Sequence, residues 1–443
     1  MTDNLLAFSC HHPYAQGMTD ASTNNSLHTH LPDGLGLKEF VTLMSALIAM
    51  TALSIDTMLP ALPDIARDLA IVHDNDRQSI ISVFFLGLAG GALIYGPLSD
   101  HHGRKPVLLG AMGLLLAATL LCTFAWSFPV LLVGRFLAGF CAASCRVIVL
   151  SVVRDCYKGD MMARIMSLIM FIFMIVPMVA PSLGSAVLLV AEWRWIFGML
   201  TGLITAMMLW VTLRLPETLD PEHHIRVHPR ELTQTFLRIV TNRSSIGYMV
   251  ASGVMMGGLV GFLVSVQQIF FDVFHQPDML PMGFALISAW MAAGNLLNGR
   301  LVHHFGARRM SQSAVIGVIL LSIIHYLLTR AEWETIWIFI LIQGMTTLCF
   351  SFAGVNFSSI AMEPFARGAG FASSLQAALT TLISALLGGM IGASFDGSTI
   401  PIALGFLGFG ILTMITILWA ERGRLFTRPG HAHLREGSQP PAR

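Results

Sequence analysis

Asp56, Arg135 and Arg146 are ionisable residues set inside long apolar runs of a 443-residue chain. Carrying such a group into a bilayer costs roughly 2.5 to 3.5 kcal/mol on insertion scales, so each marks a candidate functional site. Asp56 lies four residues before Pro60, about 6 Å from the end of the first run at the helical rise per residue. Arg135 lies about 9 Å into the fourth run, counted from the same side. The two are at comparable depth and opposite in sign. Burial favours the neutral form of a carboxylate and a nearby arginine the ionised one. Access of water or substrate can therefore set the protonation of Asp56, which is what a proton-coupled exchanger needs. Asp56 could instead act as a turn or cap residue before Leu59-Pro60, and Arg135 as one member of a static interhelical ion pair.

Arg135 and Arg146 are eleven residues apart and share a helix face with Gly139 and Ala142. Arginines among small residues point into protein or water, not lipid. Arg146 could attract an anionic substrate or snorkel to the interface. In the second half of the chain, Gln343 and Gln376 are candidate cavity residues, and His325 is expected to hydrogen-bond a neighbouring helix. Pro177 and Pro181 lie one turn apart and predict a deformable fifth helix, with Gly184 following.

These residues need a scaffold of membrane helices. The chain is 55% hydrophobic and 12% charged, too little charge to cover a water-soluble surface. Twelve runs are long enough to cross a bilayer as helix: near 40–60, 80–99, 106–126, 129–151, 163–190, 195–214, 245–270, 281–298, 310–329, 333–358, 369–393 and 399–420. Continuous runs of that length exclude a β-barrel. Most of the Lys and Arg fall in alternate loops, which predicts that both termini are cytoplasmic. A net charge of +1 argues against a nucleic-acid partner.

The loop Gly96-Pro97-Leu98-Ser99-Asp100-His101-His102-Gly103-Arg104-Lys105 has a degenerate copy in Gly299-x-x-x-His303-x-x-Gly306-x-Arg308-Arg309. Two similar halves follow from it. The expected organisation is a disordered tail at 1–37, a six-helix bundle at 38–215, a cytoplasmic linker at 216–243, a second bundle at 244–421 and a tail at 422–443. The cysteines read as small buried hydrophobes. No metal site, cofactor, phosphate loop or nucleophile motif is found, so no enzyme is expected.

The loop resembles the signature between helices two and three of the major facilitator superfamily. Asp56-x-x-Leu59-Pro60-Ala61-Leu62-Pro63, Val153-Arg154-Asp155, Trp193-Arg194-Trp195-Ile196-Phe197 and Leu215-Pro216-Glu217-Thr218 further resemble its bicyclomycin- and chloramphenicol-resistance (Bcr/CflA) drug-efflux subfamily. The antiporter signature of helix five is altered to Ala180-Pro181-Ser182-Leu183-Gly184-Ser185. The resemblance implies an all-α integral membrane protein, two pseudo-symmetric six-helix bundles, and proton-driven drug export by alternating access. It also implies a conformational latch of Gly96, Asp100, Gly103, Arg104 and Asp155, with Asp100 facing helix eleven near Arg367. A monomer in a bacterial inner membrane is expected, with small molecules and protons as partners. Export of a metabolite or nucleoside would use the same machinery, sodium could replace the proton, and a membrane sensor is the reading of another class.

Overall fold

The computed structural model describes residues 35–219, 236–365 and 369–426. Twelve helices among them are long and apolar enough to cross a membrane. They are numbered here as α1 (Leu37–Asp56), α2 (Ser79–His102), α3 (Arg104–Thr123), α4 (Phe128–Cys156), α5 (Gly159–Leu188), α6 (Arg194–Arg214), α7 (Arg243–Gln268), α8 (Leu280–Phe305), α9 (Ala307–Arg330), α10 (Ile336–Met362), α11 (Ala369–Ala393) and α12 (Ile400–Ala420). No strand occurs among the described residues. Most of both tails and most of the linker expected from the sequence lie outside the described residues.

Local signals set the helix boundaries. Gly103 separates α2 from α3 at φ +97° and Gly306 separates α8 from α9 at φ +83°, a region that L side chains avoid. The repeated loop motif therefore keeps its glycine where the backbone demands one. Asn242 caps α7 by accepting from the Ser245 N–H at 3.0 Å, and Thr335 caps α10. Pro177 and Pro181 both sit inside α5, where each removes a helical hydrogen bond without ending the helix.

Packing repeats with a period of six helices. Within the first half, α2 and α3 pack on α4, α3 on α6 and α1 on α5; within the second, α8 and α9 pack on α10, α9 on α12 and α7 on α11. Between the halves α2 meets α11 and α5 meets α8, again a symmetric exchange. Several glycines let helices touch backbone to backbone, Gly139 and Gly184 most closely. A Cβ on Gly139 of α4 would stand 2.0 Å from the Phe84 carbonyl oxygen of α2, and one on Gly184 of α5 would stand 1.8 Å from that of Thr57, just past α1. Small residues at such crossings give membrane helices their packing contact.

The face carrying the described chain ends and the connection between α6 and α7 is called proximal below, and the other distal.

Candidate functional site

Asp56 is the last residue of α1 and 4% exposed. Its carboxylate has no hydrogen bond or ion pair among the described residues. Thr42, Ala46, Ala49, Leu53 and Asp56 follow one another at spacings of four and three, so they form one stripe of α1. Thr42 at the proximal end is exposed, Ala46 and Leu53 are half-buried, and Ala49 and Asp56 are buried. The stripe thus runs from an open proximal end to a buried carboxylate near the distal end.

Arg135 is held at the level of Asp56 without pairing to its carboxylate. Its Nη1 donates to the Ser54 carbonyl at 2.9 Å and its Nε to the Ile80 carbonyl at 3.3 Å. The guanidinium also lies over the Phe84 ring at 4.4 Å and near Phe197 at 5.9 Å. Arg135 is 1% exposed and its Nη2 has no partner. One buried cation therefore joins α4 to α1 and α2. Ser54 precedes Asp56 by two residues, so the comparable depth read from the sequence is found, whereas the ion pair between them is not formed.

Arg146 is exposed, although it lies mid-helix between buried neighbours. Gln376 is buried on α11 and donates to Ser358 Oγ of α10 at 2.9 Å. Gln343 is buried on α10 with neither amide atom partnered, and Gln267 of α7 is in the same condition. His325 accepts or donates at 2.8 Å to Glu334 in the α9–α10 connection, not to a neighbouring helix as the sequence suggested. Glu334 is further bonded by Thr329 at 2.6 Å and by Thr399. Burial works to raise the Glu334 carboxyl, and the bonds from His325, Thr329 and Thr399 outweigh it, holding the group below the usual glutamate range.

At the proximal face Arg104 donates to Asp155 at 2.9 Å, to Ser99 at 2.8 Å and to Asp100. Glu217 completes the cluster and was not singled out from the sequence. Its Oε1 accepts the backbone N–H groups of Arg104, Thr218 and Leu219 at 2.9 Å each, and its Oε2 that of Lys105 at 3.1 Å. It thereby caps α3. Gly96 packs against Ser374 of α11 so closely that a Cβ would stand 2.7 Å from its Oγ. Arg367 lies outside the described residues. The second half repeats the device: Arg308 donates to Glu421 at 2.8 Å and to Glu363 at 2.9 Å.

At the distal face the halves are joined by polar bonds. Arg77 pairs with Asp272. Asn75 donates to the Ala393 and Phe395 carbonyls at 3.2 and 3.0 Å and accepts from Gln268 at 3.2 Å. These residues lead into α2 and end α7 and α11, so the clasp closes the distal end of the seam between the halves.

The model of the Major Facilitator Superfamily matches residues 44–389. An uncharacterized MFS-type transporter, YdgK of Bacillus subtilis, is 28% identical over 372 residues, 82% of this chain and 90% of the relative. A bicyclomycin resistance protein homolog of Haemophilus influenzae is 26% identical over 281 residues, 62% of this chain and 69% of that one. The multidrug resistance protein MdtL of Klebsiella pneumoniae is 29% identical over 195 residues, 42% of this chain and 50% of that one. The crystal structure of the human organic anion transporter MFSD10 (TETRAN) superposes with a TM-score of 0.61 over 87% of this chain and 100% of that one. At 15% identity that likeness concerns the fold alone.

Proposed function

The chain belongs to the major facilitator superfamily and is a multi-pass membrane transporter, not an enzyme, and from that premise we propose that it is a drug/H+ antiporter. It exports small amphipathic or polar compounds from the cytoplasm by alternating access, as a monomer in a bacterial inner membrane, with the proximal face cytoplasmic. The single observation that carries this reading is Asp56, a buried carboxylate without a partner at the end of a half-open stripe of α1. An unpaired charge is costly in such a place, so the carboxyl is carried as the acid when enclosed and ionises when water reaches it.

Arg135 is the second coupling residue. It holds the α1 backbone two residues from Asp56 through Ser54. Gly184 packs on Thr57, so bending of α5 at Pro177 and Pro181 is transmitted to the residue next to Asp56. Arg146, Gln343 and Gln376 belong to the substrate cavity. Gly96, Asp100, Gly103, Arg104, Asp155 and Arg367 form the cytoplasmic latch, which the Arg104 cluster ties within the first half. The printed names of the relatives from H. influenzae and K. pneumoniae, bicyclomycin and multidrug resistance, support an antibiotic or drug substrate.

Proteoliposomes loaded with a pH-sensitive dye test the proposal. Cationic dyes, chloramphenicol-like neutral compounds and nucleosides are added in turn, and substrate-triggered proton movement is expected for at least one class. Transport without proton movement would contradict antiport.

A further inference from the structure

Arg146 has no carboxylate or carbonyl partner among the described residues. It sits ten residues before the end of α4 at Cys156, about 15 Å from the proximal end. Its neighbours one turn away on the same face, Ala142, Ala143 and Val149, are buried. A lipid-facing position would instead belong to an exposed stripe, as Val133, Phe136 and Leu137 do at the distal end of the same helix. The opening at Arg146 is therefore local and interior.

The antiparallel register of α1 and α4 places it. Thr51 Oγ1 donates to the Ala142 carbonyl at 3.3 Å and Arg135 donates to the Ser54 carbonyl at 2.9 Å. Continuing that register brings Arg146 abreast of Ala46 and Leu47. Arg146 thus stands about 15 Å from the level of Asp56 along the helix, toward the proximal end and beside the α1 face that carries Thr51. The other acidic groups near this end, Asp100 and Asp155, are taken up by Arg104.

We propose that this interior opening selects organic acids, and that Arg146 receives the anionic oxygens of the substrate. A guanidinium is always charged and presents parallel N–H donors matched to a carboxylate or phosphate. At an interior opening with no counter-ion among the described residues, a bound anion gives it one. A cationic substrate at the same opening meets like charge. This assignment rests on the transporter reading given above and names its substrate class.

Three dansyl probes that differ in charge test it: dansyl-glycine, its neutral amide, and a dansyl amine carrying one positive charge. Binding to the purified full chain is read from dansyl fluorescence, and uptake into proteoliposomes from retained dye. Dansyl-glycine is expected to bind at least tenfold more tightly than the amide. Arg146→Gln should bring the acid-to-amide ratio within twofold of unity, whereas Arg146→Lys keeps part of it. A thermal melt checks that each variant is folded. Equal binding of acid and amide, absence of acid binding, preference for the cation, or a ratio that survives in folded Arg146→Gln would each overturn the assignment. Proton-coupled uptake of the three probes without charge preference would sustain the efflux reading while sinking this one. Arg146-dependent binding of dansyl-glycine without uptake of any probe would do the reverse.

Discussion

Arg135 donates to the main-chain carbonyl of Ser54 at 2.9 Å, two residues before Asp56, and leaves the Asp56 carboxylate without a partner. The cation is therefore held by backbone that does not titrate, and Asp56 is free to gain and lose a proton without releasing the helix junction. Losing Arg135 should cost fold stability as well as coupling. Arg135→Leu leaves the Ser54 and Ile80 carbonyls without their donor, at a cost of about 2 to 4 kcal/mol. Arg135→Lys cannot bridge two carbonyls with a rigid fork and should recover less than half of the lost melting temperature. Full recovery by lysine would mean that charge alone matters here.

Gly184 and Thr57 make the tightest backbone approach near the site. Gly184→Ala is expected to destabilise the detergent-purified protein by about 1 to 3 kcal/mol through overpacking and to slow transport. Gly202, where an added Cβ meets nothing within 4 Å, supplies the control. Equal melting temperatures for Gly184→Ala and Gly202→Ala would show that α5 is free to shift from α1.

The distal clasp should bias the conformational equilibrium. Arg77 is nearly buried, but Asp272 is half exposed, so the pair is screened and is assigned only about 1 kcal/mol. Arg77→Gln is then expected to raise the labelling of a cysteine placed at Gly389, which faces Ser82 across the seam, by roughly fivefold from the distal side. The exchange Arg77→Asp with Asp272→Arg should restore the original rate. An unchanged rate in Arg77→Gln would show that the clasp does not govern opening.

The Glu334 cluster predicts an acid-sensitive contribution to stability. A carboxyl held below its unfolded value stabilises the fold above that value and loses the contribution as the pH falls through the folded one. The melting difference between wild type and Glu334→Gln should therefore be present at neutral pH and shrink below about pH 4. A difference that is constant from pH 7 to pH 3 would contradict this.

Much of the scaffold was legible in the sequence because apolar runs, alternating basic loops and loop glycines each have a direct physical cause. The resemblance put Arg104 and Asp155 into one latch, and the structure pairs them. Glu217 was passed over because its role is to cap α3, a helix distant in sequence, and its Leu-Pro-Glu-Thr string says nothing about that partner. The second-half counterpart was obscured by register: aligned on the glycines, Arg308 stands opposite Lys105, yet its carboxylate contacts reproduce those of Arg104. For Gln343 the sequence revealed only that an amide lies within a span. Helix crossings decide what it meets, and here both amide atoms are left unpartnered.

The most direct test of the account compares wild type with Asp56→Asn in proteoliposomes carrying a pH dye. Asparagine keeps the size of the side chain but holds no exchangeable acid proton. The account predicts a folded variant in which substrate no longer moves protons and an imposed proton gradient no longer drives export. Export that persists in Asp56→Asn with an unchanged proton stoichiometry would place the coupling carboxylate elsewhere and contradict the account.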